Sequence, residues 1–381
     1  MLQQAVGDIG IVGSLRPFTR QVHIPRDCHD HRRADSLTSL NTSYSNPLLV
    51  GTAIRAQLEH EVPQDLPLEK DFREDSAYTI TDHVHQLHAS LSKDPRTLQL
   101  ITSLISHLHA FARETQFTHS EWTKVVAFLT RAGKESTDFK NEFVLLSDCI
   151  GLSALVDEIN HPKPLGCTES CEPGPFYTED APEIPSGSSL AKAGTTGEAM
   201  FFSGTVKNLK GEGIKGARID VWQADGDGIY DVQYPGRTEP NDRGRIVASP
   251  DGSFNYRGIL PTAYPIPSDG PTGDFLHLLE GRHPHRASHI HFTLKAPGYD
   301  DLTTALYPSH SPFLGTDPVF ATKKSLICEL VEERNPDHWS EMGFKEGEVQ
   351  GGRVWVWKYN FVLATITEVE QLQRARATKA L

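Results

Sequence analysis

Apolar residues recur at helical spacing between residues 77 and 160. Asp94-Pro95 combines a helix N-cap with proline at the first helical position, and Thr118 with Glu121 forms a capping box. Thr79 with Asp82 suggests another helix start. The apolar positions that follow these starts, and those of a further run, are Leu100, Ile101, Leu104, Ile105, Leu108, Phe111, Trp122, Val125, Val126, Leu129, Phe139, Phe143, Leu146 and Ile150. Their spacing predicts a small domain of about four helices at residues 77–160.

From residue 199 the apolar period becomes that of β-strands. Short strands are predicted at 199–207, 217–223, 252–256, 288–294, 302–307, 325–330 and 353–364, separated by turn sequences rich in proline and glycine. Successive strands without intervening helices indicate an antiparallel β-sandwich. The predicted fold is therefore mainly β, with a β-sandwich catalytic domain at 199–381 after a small N-terminal α-helical domain.

Two stretches show neither period. Residues 1–76 are polar and irregular, with turn residues at 41–46, and predict an N-terminal extension. Residues 161–198 are rich in proline, glycine and serine, and predict a linker between the helical domain and the sandwich.

Composition narrows the class of protein. With 381 residues, 38% of them hydrophobic and 23% charged, the chain is typical of a soluble protein of two domains. A net charge of −13 argues against nucleic acid or an anionic membrane as a partner. No apolar run approaches the roughly 20 residues of a membrane span, and no signal peptide is recognised. The five scattered cysteines predict reduced thiols in a cytoplasmic protein.

The candidate chemistry lies between residues 220 and 292. Alternation along the strand predicted at 288–294 places His289 and His291 on one face, so their imidazoles should lie side by side. Tyr230 and Tyr264 occupy turn-like sequences nearby. Two imidazoles and two phenolates form an anionic nitrogen and oxygen donor set, which suits ferric iron better than zinc or calcium. A zinc or Fe(II) hydrolase that uses the histidines alone is the alternative.

Other histidines and glycines carry weaker signals. His83-x-His85-x-x-His88 and His107-x-His109 fall in predicted helices, where residues two apart diverge, so surface histidines are expected. The glycine pattern at 211–216 lies between two strands and opens no helix, which indicates a hairpin turn rather than a dinucleotide site.

Four motifs together resemble the intradiol ring-cleavage dioxygenases, non-haem Fe(III) enzymes that split catechols between their two hydroxyls. They are residues 220–230 (DVWQADGDGIY), 261–264 (PTAY), 281–292 (GRHPHRASHIHF) and 295–298 (KAPG), with further likeness at 143–148 and 174–177. The resemblance implies that Fe(III) is held by Tyr230, Tyr264, His289 and His291. It also implies that Tyr264 takes a substrate proton and that Arg286 stabilises charge on the reacting oxygens. The residues that it places around the substrate are Leu145, Asp148, Gly174, Pro175, Phe176, Ile266, Pro267 and Arg286.

Within this family, residues 264–273 (YPIPSDGPTG) are similar to the hydroxyquinol 1,2-dioxygenases. That likeness implies that benzene-1,2,4-triol and O2 react to give 3-hydroxy-cis,cis-muconate or maleylacetate, with Asp148 accepting a hydrogen bond from the third hydroxyl. Catechol and other intradiol dioxygenases remain the alternatives. Ala305 stands where the family usually has glutamine or histidine, and Glu172-Pro173 replaces a more apolar pair. A non-catalytic β-sandwich module that binds metal is therefore kept as a further hypothesis.

The resemblance also bears on partners. Family members form homodimers through their helical domain, often with a phospholipid in a tunnel between the helices. The apolar helical faces of this chain fit either an interface or a core, and the sequence does not separate these two possibilities.

Overall fold

The structure, a computed structural model, describes residues 76–137, 140–345 and 347–379. These residues belong to two compact units, one that ends at Gln116 and one that begins at Phe117. The predicted extension, apart from Ser76, the turn at 41–46 and Phe139 lie outside the described residues. Within the described range, no helix is both long enough and apolar enough to cross a membrane.

The unit that ends at Gln116 contains helices α1 (Ser76–Leu91) and α2 (Pro95–Glu114). Asp94 caps α2, because its carboxylate accepts hydrogen bonds from the amides of Arg96 and Thr97. This confirms the predicted start of α2. The predicted start at Thr79 is wrong, since α1 already begins three residues earlier.

The second unit begins with helices α3 (His119–Glu135), α4 (Glu142–Cys149) and α5 (Leu152–Asn160). The capping box of Thr118 and Glu121 is present at the start of α3, as predicted. The last predicted helix is followed by a separate one, because Gly151 adopts a left-handed φ of 75° between α4 and α5. The helical stretch therefore has five described helices rather than about four.

Eleven strands follow, and most of them form two sheets. They are β1 (Ala199–Asn208), β2 (Arg218–Gln223), β3 (Arg243–Val247), β4 (Ser253–Ile259), β5 (Tyr264–Pro265), β6 (His285–Arg286), β7 (Ile290–Lys295), β8 (Leu302–Pro308), β9 (Ile327–Cys328), β10 (Leu330–Glu333) and β11 (Val354–Leu363). One sheet has the order β10-β11-β1-β4, the other has the order β3-β2-β7-β8-β9, and β5 pairs with β6 alone.

The two large sheets pack face to face. Phe202 of β1 lies 5.2 Å from Phe292 of β7 between ring centroids, and both side chains are fully buried. The predicted β-sandwich with an N-terminal helical region is thus confirmed. The sheets are mixed rather than purely antiparallel, because β1 pairs in parallel with β11 and β8 with β9.

Three helices that the strand pattern did not predict lie in this region: α6 (Pro271–Leu278), α7 (Pro336–Glu341) and α8 (Ile366–Lys379). The first separates β5 from β6, so the expectation of strands without intervening helices is wrong. At eight and six residues, α6 and α7 are too short to show a sustained helical period.

Candidate metal centre

The two tyrosines reach the site from turns that are held by their neighbours. Tyr264 begins β5 and pairs with Arg286 of β6. The amide of Tyr230 donates a hydrogen bond to the side-chain oxygen of Gln233 at 2.9 Å. Gly228, with φ 79°, lets the two turns approach, because a Cβ atom there would lie 2.9 Å from the Cβ of Tyr264. Both tyrosine side chains are consequently buried against each other.

The two histidines lie at the start of β7. His291 is within the strand, between Trp222 of β2 and Ala305 of β8, and its ring stacks on that of Trp222 at 5.0 Å. His289 immediately precedes the strand, which begins two residues later than predicted. The imidazoles nevertheless lie side by side, with their Nε2 atoms 3.1 Å apart and their planes at 90°.

Four donor atoms of the predicted ligands converge. The hydroxyl of Tyr230 lies 3.3 Å from that of Tyr264 and 3.4 Å from Nε2 of His289. Tyr264 and His289 are also 3.4 Å apart at these atoms. Four ligands around one ion with metal–nitrogen bonds of about 2.0–2.1 Å are separated by about 3.3 Å in tetrahedral geometry. The observed spacing matches that of ligands to a single metal ion.

The protonation states also suit a metal. Nδ1 of His289 lies 2.6 Å from the carbonyl oxygen of Ala287, so Nδ1 carries the proton and the Nε2 lone pair faces the other donors. Burial, with help from nearby Arg286, holds the pKa of both histidines well below the ordinary value and keeps them neutral. Neutral imidazole is the form that binds metals.

The phenol of Tyr230 needs a nearby cation to ionise. Burial, and then the neighbouring Tyr264, raises the pKa of Tyr230 well above its ordinary value. A trivalent metal ion within bonding distance reverses such a shift, as metals do for thiols and water. Among residues 76–137, 140–345 and 347–379, no group of three or more histidine, cysteine or acidic side chains could hold a metal ion. A metal site at these two histidines therefore requires the two phenolic oxygens as its other ligands.

Six of the eight residues predicted around the substrate divide into three pairs. Leu145 of α4 and Ile266 belong to one apolar cluster with Cys149 and Leu276. Gly174 and Phe176 lie against the predicted metal ligands: Phe176 stacks on Tyr230 at 4.5 Å, and a Cβ atom at Gly174 would lie 3.6 Å from Nε2 of His291. The remaining pair, Pro175 and Pro267, is exposed to solvent.

Asp148 and Arg286 supply the charges near these donors. Nη1 of Arg286 lies 3.3 Å from Nε2 of His289. Burial raises the pKa of the Asp148 carboxyl, while Ser153 and Arg286 oppose that rise. One Asp148 oxygen is buried and has no hydrogen-bond partner among the described residues, so it can accept a hydrogen bond from a ligand.

Asp317 is a part of the site that the sequence did not indicate. One of its oxygens lies 3.3 Å from Nε of Arg286 in a buried ion pair, and the other accepts a hydrogen bond from the amide of Ala321. Arg286 is therefore both in a structural ion pair and beside a predicted metal ligand. No local pattern links Asp317 to a site 31 residues earlier in the chain.

Ala305, the departure noted in the sequence, lies directly opposite His291 on β8 and is fully buried. Its methyl group offers no hydrogen bond. Nδ1 of His291 is buried, and no partner for it is found in the part of the chain that the structure describes.

Comparison with known proteins agrees with this arrangement. A family model described as dioxygenase matches residues 173–364, and one described as catechol dioxygenase N terminus matches residues 94–168. The intradiol ring-cleavage dioxygenase hqdA of Aspergillus niger is 39% identical over 83% of this chain and 92% of its own length. The hydroxyquinol 1,2-dioxygenase of Rhizobium sp. is 39% identical over 71% of this chain and 90% of its own length. The crystal structure of hydroxyquinol 1,2-dioxygenase from Pseudomonas putida DLL-E4 superposes with a TM-score of 0.70 at 35% identity, covering 77% of this chain and 99% of that one.

Proposed function

Because this chain belongs to the intradiol ring-cleavage dioxygenases, we propose that it cleaves hydroxyquinol with O2 between adjacent hydroxyls. The product is 3-hydroxy-cis,cis-muconate or its tautomer maleylacetate. Two similar proteins named as hydroxyquinol 1,2-dioxygenases support this substrate. The observation that carries the proposal is the convergence of two phenolic oxygens and two imidazole nitrogens in a buried site.

The cofactor of the proposal is non-haem ferric iron, held by Tyr230, Tyr264, His289 and His291. The family uses non-haem iron, and the neutral imidazoles and phenolic oxygens described above fit the trivalent ion. When bound, the iron supplies a Lewis-acidic centre that lowers the pKa of the substrate hydroxyls and prepares the ring for reaction with O2.

The side chains divide the remaining work among them. Tyr264, as a phenolate, takes one proton from the incoming substrate. The guanidinium of Arg286, oriented by Asp317, stabilises negative charge on the substrate oxygens. Phe176 covers Tyr230 and excludes water from that side. The unpartnered oxygen of Asp148 accepts a hydrogen bond from the third ring hydroxyl.

The visible spectrum and oxygen uptake test this proposal together. Protein purified with iron should show a strong ferric tyrosinate band, which a zinc protein lacks, and hydroxyquinol should be consumed faster than catechol or protocatechuate. Tyr264→Phe should remove the proton acceptor and slow turnover by about 100-fold or more. Tyr359→Phe, on β11 with its hydroxyl bonded to the Ser325 carbonyl, is the matched control and should remain active. Wild-type turnover in Tyr264→Phe would refute the assignment.

A second candidate function follows from Ala305. Ala305 lies opposite His291 on β8 and offers it no polar group. A module that binds iron without catalysis is therefore the competing hypothesis. Protein that shows the ferric band but consumes no oxygen with any catechol would favour that module. Faster turnover of catechol than of hydroxyquinol would instead identify a catechol 1,2-dioxygenase.

The proposal extends to assembly and location. Large apolar side chains of α2 and α3 are exposed, which supports a homodimer formed through the helices and a phospholipid bound among them. Sedimentation, and mass spectrometry of extracted lipid, test these two points. Cys149, Cys167, Cys171 and Cys328 are all free thiols, which supports a cytoplasmic location that cell fractionation can test.

A further inference from the structure

The segment at residues 169–176 has no regular secondary structure and lies against the candidate site. Its first half is tied to β8: the amide of Cys171 donates to the carbonyl of Thr303 at 2.9 Å, and Thr304 Oγ1 donates to the carbonyl of Glu169 at 2.8 Å. Its second half lies on the metal ligands, through Gly174 and Phe176. Glu172 is placed between these two attachments.

Contacts of the residues on either side of Glu172 locate this part of the segment. Cys171 is buried, and its sulfur lies 3.9 Å from the hydroxyl of Tyr307, whose ring centroid is 5.6 Å from that of His289. Gly174, two residues later, abuts His291. Glu172 is therefore half-buried in the backbone segment that joins these two contacts at the candidate site.

The charges around Glu172 are unbalanced. Burial raises the pKa of its carboxyl, Asp148 and then Asp157 add to the rise, and Arg286 opposes it. Glu172 therefore shares an electrostatic environment with two carboxylates and one guanidinium. Arg286 is already paired with Asp317. Neither Glu172 nor the buried oxygen of Asp148 has a hydrogen bond or ion pair to any residue that the structure describes.

Carboxylate oxygens that are available at a binding site select their ligand by simple chemistry. Each carboxylate only accepts hydrogen bonds when ionised, so a ring hydroxyl that donates is favoured. An apolar substituent leaves the carboxylates unpaired, and a ring carboxylate is repelled by both of them.

We propose that Glu172 is a specificity-determining residue that works with Asp148 to admit catechols bearing a third hydroxyl and to reject those bearing an anionic substituent. This inference rests on the proposed function and deepens it, because it assigns the substrate choice to a residue where the family usually has an apolar one.

Glu172→Val and Glu172→Gln separate the two parts of the inference. We expect Glu172→Val to lower the ratio of kcat/KM for hydroxyquinol over catechol by about tenfold or more. Glu172→Gln removes the charge and keeps an acceptor, so it should change that ratio less. Both variants should discriminate less against protocatechuate than the wild type does.

The control is Glu169→Gln, which removes the same charge from the same segment. Glu169 is exposed and its side chain bonds to Ser325, so both substrate ratios should stay within about twofold of wild type. Iron content and the visible band of each variant show whether the site is intact. Glu172→Gln keeps the shape of the side chain and serves as the folded variant if valine perturbs the fold.

Anaerobic calorimetric titration gives Kd ratios for the same three ligands without turnover. Ratios in Glu172→Val and Glu172→Gln that equal those of the wild type would overturn the inference. Failure of the wild type to cleave any catechol would instead refute the proposed function. The Kd ratios would still test the role of Glu172 in that case.

Discussion

Leu294 in β7 and Leu104 in α2 carry the same side chain in opposite surroundings. Leu294 is fully buried between the sheets, whereas Leu104 is 60% exposed. The contrast holds for the elements around them: α2 has no buried residue, while β7 buries every residue but its last. The sandwich therefore buries its apolar surface within its own unit, and the apolar stripe of α2 remains available to a partner.

The two elements show that a row of apolar residues can serve two purposes. In the strands it builds a core, where removal of a methyl group is felt because the interior is close-packed. In α2 the same kind of residue contributes little to the stability of a single chain, and its exposed apolar surface fits the proposed homodimer contact.

The largest expected effect is that of Leu294→Ala, a cavity in the sandwich. We expect a loss of about 2–5 kcal/mol in the free energy of unfolding, because a buried leucine is removed from a packed interior. Urea denaturation followed by fluorescence measures it. Leu104→Ala is the matched control, and at low protein concentration it should cost less than about 1 kcal/mol. Equal losses of unfolding free energy at the two leucines would contradict the contrast between the sandwich and α2.

The second largest expected effect is a pH dependence of the stability of the sandwich. Burial, then Asp225 and Asp231, raises the pKa of Asp242 from 3.8 to about 7. Because the folded pKa lies above the unfolded one, this carboxyl contributes stability below about pH 4 that is lost as the pH rises through 7.

Asp242→Asn should therefore unfold less readily than the wild type at pH 8, by at most about 4 kcal/mol, and the difference should vanish near pH 4. Asparagine also tolerates the φ of 54° at this position and can accept the 2.7 Å hydrogen bond from Asn241. Denaturation at several pH values measures the difference. A pH-independent difference would contradict the assignment.

Charge on the exposed stripe of α2 should affect association rather than folding. If the proposed homodimer forms through the helices, replacing Leu104 and Leu108 by glutamate should halve the sedimenting mass, because the charges cannot be buried without partners. Unfolding of the dilute protein should change by about 1 kcal/mol or less. Gln99→Glu, an exposed polar position on the same helix, is the control and should leave the mass unchanged. An unaltered mass in the double variant would place the interface elsewhere.

The smallest effect is local. Thr118→Ala removes the side-chain oxygen that accepts from the amide of Glu121 at the start of α3, and we expect a cost of about 1 kcal/mol. Thr123→Ala lies one turn later in the same helix, caps nothing and should be close to neutral. Thermal unfolding of the two variants side by side provides the measurement. A neutral Thr118→Ala would show that the capping box does not stabilise α3.

Local rules predicted the parts of the fold that depend on neighbours in the chain. Asp94 and Thr118 cap their helices because a cap joins residues two or three apart. The strand at 199–207 was found almost to its last residue because its apolar alternation is long. Helix α6 was not predicted, since its eight residues, which begin with Pro271 after Gly270, carry too little periodic signal.

By itself, the sequence determined the fold class, the family and the four candidate ligands, because motifs and periodicity are properties of short stretches. The tertiary structure was needed to show that Asp317 pairs with Arg286, that Glu172 belongs to a segment lying against the site, and that Pro175 and Pro267 are exposed. Those facts depend on contacts between residues far apart in the chain, and no local pattern encodes which distant side chains meet. The apolar stripe of α2 shows the same division: its period predicted the helix, and only the three-dimensional structure showed that its apolar residues are exposed rather than buried.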